Sequence, residues 1–183
     1  MKTPIKIHLV RHAEAAQRWV EARDPALSAL GHTQAKRSAE RWTDSPLALR
    51  SSPLRRAQET AAPLAQRWLR EVAIDTAFRE VPGPEDLDAR AGYIAHLMQA
   101  GWEDVDATVH AWREVLWQAL LAVEEDTVIF THFMVINAAV SLLQTAPRLV
   151  VFEPDYCSVT VLERHGDTLA LADRGSNRTT RVL

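Results

Sequence analysis

Arg11-His12 directly follows the short apolar run Ile5-Lys6-Ile7-His8-Leu9-Val10, and a second histidine, His132, follows Val128-Ile129-Phe130-Thr131 late in the chain. Both runs read as strands. In open α/β sheets ligands bind in the crevice outside the carboxyl ends of the strands, so these strands would deliver a guanidinium and two imidazoles to one place. That set suits a phosphate group: one imidazole attacks phosphorus while the remaining cations and donors hold the other oxygens. Taken singly, an Arg or a His at a strand end is an unremarkable surface or packing residue, and only the combination is informative.

A third run, Leu47-Ala48-Leu49, leads into Ser51-Ser52-Pro53-Leu54-Arg55-Arg56-Ala57-Gln58-Glu59-Thr60-Ala61. Ser52 is expected to cap a helix with Pro53 at its first position. Such a helix start carries unpaired N–H groups and a positive dipole end, which favour an anion, and Arg56 would reach the same crevice. Upstream, Ser28 is expected to cap another helix in Leu27-Ser28-Ala29-Leu30-Gly31-His32-Thr33-Gln34-Ala35.

Together Arg11-His12-Ala13-Glu14, Leu27-Ser28-x-x-Gly31-x-x-Gln34-Ala35, Ser52-Pro53-Leu54-x-Arg56-Ala57-x-Glu59-Thr60-Ala61 and Thr131-His132 resemble the histidine phosphatase superfamily, the phosphoglycerate-mutase-like fold. They occur in that family's order and at similar spacing, over roughly residues 5–160, and 158–162 resembles one of its late strands. The resemblance implies a metal-independent phosphomonoesterase with no cofactor, in which His12 forms a phosphohistidine while Arg11, Arg56 and His132 bind the phosphate oxygens. Glu80, in Phe78-Arg79-Glu80-Val81-Pro82, stands where many members carry the general acid. Such an acid must hold its proton near neutral pH, which burial or nearby carboxylates would promote. Glu85, Asp86 and Glu14 are rivals, Glu14 being read as orienting an arginine or the loop.

Departures from the family pattern bear on the substrate. Ala13 and Phe133 replace frequent glycines after the two histidines, and Asn137 takes a place often held by a basic residue. The longer recognition segments of the mutases are missing, which favours hydrolysis over isomerisation. A small phosphorylated metabolite is the leading substrate. A phosphohistidine on a signalling protein is the alternative, as is a non-catalytic role binding a phospholigand or acting as a scaffold.

Composition fits this reading. A chain of 183 residues, 47% hydrophobic and 25% charged, is expected to form one domain spanning 1–183 with a sizeable core. A formal net charge of -3 gives no reason to expect nucleic acid as partner. No apolar run approaches a membrane span, the first ten residues lack a leader's apolar region, and the lone Cys157, read as a small buried strand residue, has no partner for a disulfide. A cytoplasmic protein is expected. Oligomeric state and natural substrate stay open.

The elements that must position these residues alternate. Strands are expected near 5–10, 47–51, 72–76, 126–131, 149–153, 158–163 and 168–173, and helices near 28–43, 53–70, 85–99, 106–123 and 133–145. This is a three-layer α/β sandwich with a mostly parallel, mixed sheet, the last two strands joined by the turn at Gly166-Asp167. Val81-Pro82-Gly83-Pro84 starts a helical insertion, about 85–123, that would roof the crevice. Its aromatics (Tyr93, Trp102, Trp112, Trp117) are assigned to packing, and Trp112, Val115, Leu116, Ala119, Leu120 and Val123 to a buried helix face. His8 is expected to pack within its strand, and His32, His96, His110 and His165 to be solvated.

Overall fold

Alternation along β1 (Ile5–Arg11) sends Ile7 and Leu9 to one face of a sheet and Val10 to the other, and both faces are covered. In the computed structural model, which describes residues 3–177, six strands follow the order β3-β2-β4-β1-β5-β6. The other strands are β2 (Ala48–Ser51), β3 (Val72–Ile74), β4 (Thr127–Thr131), β5 (Val159–His165) and β6 (Thr168–Asp173). β1 runs parallel to β4, and β2 runs parallel to both β4 and β3. β5 returns antiparallel to β1 and pairs antiparallel with β6 across a turn where Gly166 takes φ 62°. The mixed sheet expected from the alternation is therefore present.

Helices cover both faces. α1 (Ala29–Glu40) and α2 (Arg55–Trp68) pack on one side, where Ala57, Ala61, Leu64 and Trp68 meet Val10, Leu49, Val128 and Phe130. α3 (Leu87–Leu97), α4 (Ala107–Leu121) and α5 (Phe133–Leu143) supply the core of the other side, around Ile7, Leu9 and Ile129. Of the six buried apolar residues of α5, five have no exposure at all, so this helix is apolar nearly all round and lies deep in the molecule. Among the described residues no helix is long and apolar enough to cross a membrane.

Several sequence expectations are corrected. No strand forms over 149–153. The backbone N–H groups of Val151 and Phe152 donate to Asn137 Oδ1 at 2.9 and 3.1 Å, so a buried side chain replaces a ladder there. β3 is short because Asp75 accepts from Ala77 N at 3.0 Å and turns the chain into a 3-10 segment. α2 begins at Arg55, with Leu54 as its cap residue and Ser52 outside the helix. Val115 is 57% exposed, so the buried face of α4 is narrower than its periodicity implied. Cys157 is buried in the turn before β5 at φ 55°, not in a strand. His110 is half-buried beside Trp102, with ring centroids 6.5 Å apart, while His32, His96 and His165 are exposed as expected.

The insertion at 85–123 divides its work. α4 buries Val109, Leu116 and Leu120 in the core, and only α3 reaches the crevice, through Ile94 and Met98. Three of its four aromatics are buttresses, as expected: Trp102 Nε1 donates to Ser141 Oγ at 2.8 Å, Trp112 Nε1 to Arg79 O at 3.0 Å, and Tyr93 Oη to Pro82 O at 2.9 Å.

Candidate active site

The carboxyl ends of β1, β4 and β2 lie side by side, and the side chains just beyond them converge. His12 N donates to Thr131 O at 2.9 Å and Ser52 N to Phe130 O at 3.0 Å, so the three chain exits are held in register one residue past the strands. The order of these strands in the sheet, rather than in the chain, brings Arg11, His12, Ser52, Arg56 and His132 together.

The protonation state of His12 follows from its neighbours. Nδ1 lies 2.7 Å from Ala13 O, which only accepts, so Nδ1 carries the proton. Nε2 then holds a lone pair, and it accepts from Arg56 Nε at 3.1 Å. Burial, with the nearby Arg56 and Arg11 cations, holds the imidazole pKa well below its usual 6.5. His12 is thus a neutral imidazole with a defined basic nitrogen. His132, its ring centroid 5.2 Å from that of His12, lies with Nε2 2.7 Å from Ser52 Oγ. Ser52 Oγ also accepts from Leu54 N at 3.2 Å, and the His132 tautomer that takes the Ser52 proton on Nε2 carries its own on Nδ1. That buried Nδ1 has no hydrogen-bond partner among the described residues. Burial and then Arg56 push the His132 pKa well down as well.

Two buried guanidiniums flank the pair. Arg11 Nη1 donates to Pro154 O at 2.7 Å, and its Cζ sits 4.3 Å from the Tyr156 ring centroid and 5.3 Å from that of Phe133. Arg56 keeps its Nη1 buried without a hydrogen bond, with Asp24 Oδ1 the ion-pair partner at 3.9 Å. The start of α2 is not an empty anion site: Arg55 N donates to Asp24 Oδ1 at 2.9 Å.

Glu80 lines the same cavity, of about 430 Å³. The preceding Phe78 is fully buried and its carbonyl accepts from Thr131 Oγ1 at 2.9 Å, which ties this segment to the end of β4. Burial raises the Glu80 pKa above its usual value, against the lowering effects of Arg56 and of backbone donors from Val81 and Met134. Its rivals lie elsewhere. Glu85 has a side chain 91% exposed, Asp86 caps α3 by accepting from Asp88 N at 3.0 Å, and Glu14 accepts from Ser28 Oγ at 2.7 Å. Glu14 therefore orients the loop after β1, one of the two roles expected of it.

The remaining motif residues hold that loop. Ser28 Oγ caps α1 by accepting from Gly31 N at 2.9 Å, Gln34 Oε1 accepts from Glu14 N at 2.9 Å, and Glu59 Oε2 accepts from Leu27 N at 2.7 Å. Thr60 Oγ1 accepts from Ala13 N at 3.0 Å and donates to Arg56 O at 2.6 Å, linking both sides of the crevice. At Gly31 any Cβ would run into the Glu14 carbonyl, so this close approach requires glycine.

Sequence reasoning missed Trp19, Tyr156 and the contribution of Ser52 to His132. Trp19 belongs to a loop, 16–26, closed by an antiparallel bridge between Ala15 and Leu27, and such a loop carries no periodic signal. Tyr156 shares a short turn with Pro154, whose carbonyl binds Arg11, and only that contact reveals it. Among the described residues no three His, Cys, Asp or Glu side chains are grouped as a metal would need.

The fold recurs in known proteins. The sequence profile of the histidine phosphatase superfamily (branch 1) matches residues 7–176; the chain belongs to that family and is a phosphatase by class. A structure described as mycobacterial hydrolase 1 is 25% identical, with a TM-score of 0.73, and the alignment covers 96% of this chain and 100% of that one. A mycobacterial glucosyl-3-phosphoglycerate phosphatase is also 25% identical (TM-score 0.71, covering 93% and 98%). A phosphoserine phosphatase from Entamoeba histolytica, at 22% identity, shares the fold with a TM-score of 0.74, covering 95% and 98%. Curated proteins include no match.

Proposed function

We propose that this protein hydrolyses the phosphate monoester of a small metabolite through a phosphohistidine on His12. The observation that carries this reading is the neutral, buried His12 with its Nε2 lone pair against the Arg56 guanidinium. An incoming phosphate draws that guanidinium onto its oxygens and frees the lone pair. Nε2 attacks phosphorus, the P–O ester bond breaks, and the alkoxide takes the proton of Glu80. Glu80, now a carboxylate, removes a proton from water. The water oxygen attacks phosphorus, the P–N bond breaks, and its electron pair returns to Nε2. Arg11, Arg56 and the Nδ1–H of His132 hold the equatorial oxygens as charge develops.

A cavity of about 430 Å³ walled by α3 and the loop 16–26 supports a small substrate over a phosphorylated protein side chain. The 25%-identical phosphatase, named for glucosyl-3-phosphoglycerate, supports the same class. We read the chain as one catalytic domain acting in the cytoplasm, the latter supported by a single cysteine that forms no bridge within the chain. Burial pushes the Cys157 thiol up to about 11, so it stays protonated and takes no part as a nucleophile near neutral pH.

The direct test is a rapid acid-free quench with labelled substrate. An acid-labile, base-stable phosphoprotein is expected, and its absence during steady turnover would refute the mechanism. Activity is also expected to survive exhaustive chelation, because arginine and histidine supply the positive charge. Loss with EDTA that added divalent metal restores would overturn this assignment.

The pH dependence has a definite sign. The lowered His12 pKa means the nucleophile stays neutral as pH falls through 6.5, so no acid-side loss is expected there. The raised Glu80 pKa means the acid form persists above the usual carboxylate range and disappears as pH rises. With an alkyl phosphate, kcat/KM is therefore expected to hold flat on the acid side near 6.5 and to decline on the alkaline side. A fall with decreasing pH around 6.5 that exceeds what the substrate's own second ionisation, at about pH 6, accounts for would contradict the assignment of His12.

A further inference from the structure

Beyond the phosphate-binding groups, one residue of unusual character joins the two segments that form the mouth of the cavity. Arg90, on α3, is only 7% exposed, although arginine is seldom buried without a charged partner. Its guanidinium is spent on main-chain carbonyls. Nε donates to Pro84 O at 2.9 Å, and Nη1 donates to Trp19 O at 3.0 Å and to Ala22 O at 3.4 Å. Its Cζ also lies 4.5 Å from the Trp19 ring centroid, over the ring. A single side chain thus fixes both the backbone and the indole of Trp19. On the benzo edge, Gly83 completes the seat: a Cβ there would collide with Trp19 Cη2 and Cζ2. The indole forms part of the wall between two cavities, because Trp19 and Glu80 line both the catalytic cavity and a neighbouring one of about 360 Å³.

We propose that Trp19 determines specificity for the alcohol half of the substrate, and that Arg90 is the positioning residue that holds it. The ligand class is a phosphate ester whose alcohol carries a flat or branched apolar body. This rests on the phosphomonoesterase reading above and names the substrate class of that site. Trp19, Ile94, Met98, Phe133 and Met134 give the cavity an apolar wall, with Gln17, Arg18 and Glu153 among its polar lining residues. Arg11 and Arg56 belong to the phosphate end. The other cation among the described lining residues, Arg18, is tied to Glu21 at 2.6 Å with its side chain largely in solvent. A second anionic group on the alcohol therefore finds no buried cation to receive it, whereas a ring finds an aromatic wall.

The test compares three esters on the intact protein: ethyl phosphate, 2-phenylethyl phosphate and 3-phosphoglycerate. The first two leave as primary alcohols of similar basicity, so their ratio reports binding of the phenyl group. The wild type is expected to favour 2-phenylethyl phosphate over ethyl phosphate by roughly tenfold or more in kcat/KM, the size of effect a buried apolar group gives. It is also expected to favour it over 3-phosphoglycerate. In Trp19→Ala the phenylethyl-to-ethyl ratio falls toward one. Arg90→Ala and Gly83→Ala lower the same ratio with Trp19 still present, the first by releasing the indole and the second by displacing it. Arg90→Lys restores little, since an ammonium lacks the fork that spans three carbonyls. A ratio within one preparation cancels the folded fraction, so a purely structural role for Arg90 would leave it unchanged. An unchanged ratio in Trp19→Ala, or a wild type that prefers 3-phosphoglycerate, would overturn the inference while leaving the hydrolase intact. Release of phosphate from none of the three would instead overturn the phosphomonoesterase reading.

Discussion

Replacing His12 with alanine is expected to lower kcat by roughly 10³-fold or more, equivalent to about 4 kcal/mol of transition-state stabilisation. The other imidazole of the site, His132, has its Nε2 2.7 Å from Ser52 Oγ, and of the two it is His12 that lines the cavity. Arg11 and Arg56, proposed to bind phosphate, remain, so vanadate should still bind, though weakly. The measurement is steady-state phosphate release alongside vanadate inhibition or binding. Near-parental hydrolysis by the variant would show that phosphorus is not transferred to His12. A variant that neither turns over nor binds vanadate would point to a collapsed pocket, and His12→Asn, closer in polarity, would then separate the two causes.

Glu80→Gln should be the second largest effect, and its dependence on the leaving group is the informative part. Glutamine keeps the size and an acceptor for Val81 N, which donates to Glu80 Oε1 at 3.0 Å, but has no carboxylic proton. For an alkyl phosphate, whose alkoxide is a strong base, the rate is expected to fall by roughly 10²-fold or more. For an activated aryl phosphate, whose leaving group departs with little help, the loss should be much smaller. The alkaline decline in kcat/KM should disappear with the carboxyl group. Equal losses on both substrates would move the acid role away from Glu80. The proposal for His12 would be unaffected by that outcome, because the acid is proposed to act on the leaving oxygen and not on the nucleophile.

The parts of this site that follow from local sequence are those whose signal is local. Arg11-His12 and His132 each end an apolar run, and a strand end in a parallel sheet is where such residues become useful. Ser28 stands three residues before the glycine whose N–H it accepts, a capping geometry set by helix dimensions. The alternation of strands and helices was enough for a three-layer α/β architecture, and the Gly166-Asp167 turn for the antiparallel end of the sheet. Local patterns misled where burial came from another source. Residues 149–152 look strand-like because Leu149 and Phe152 are buried, yet their backbone is held by the side chain of Asn137. Ser52 and Pro53 look like a helix start, yet the Ser52 hydroxyl faces His132 instead.

What the tertiary structure alone decided are the properties that come from desolvation and from contacts far apart in the chain. Arg11 meets the carbonyl of Pro154, 143 residues away, and Arg90 that of Trp19, 71 residues away. No periodicity records such pairings, because each depends on how the sheet order folds distant loops onto one rim. The same holds for charge state. A glutamate or a histidine has its ordinary pKa in any sequence. Only burial beside Arg56 lowers the His12 pKa so far, and only burial in the wall of the same cavity raises that of Glu80. The residue types and their order specify phosphate chemistry, and the removal of water around them specifies which atom gives and which receives the proton.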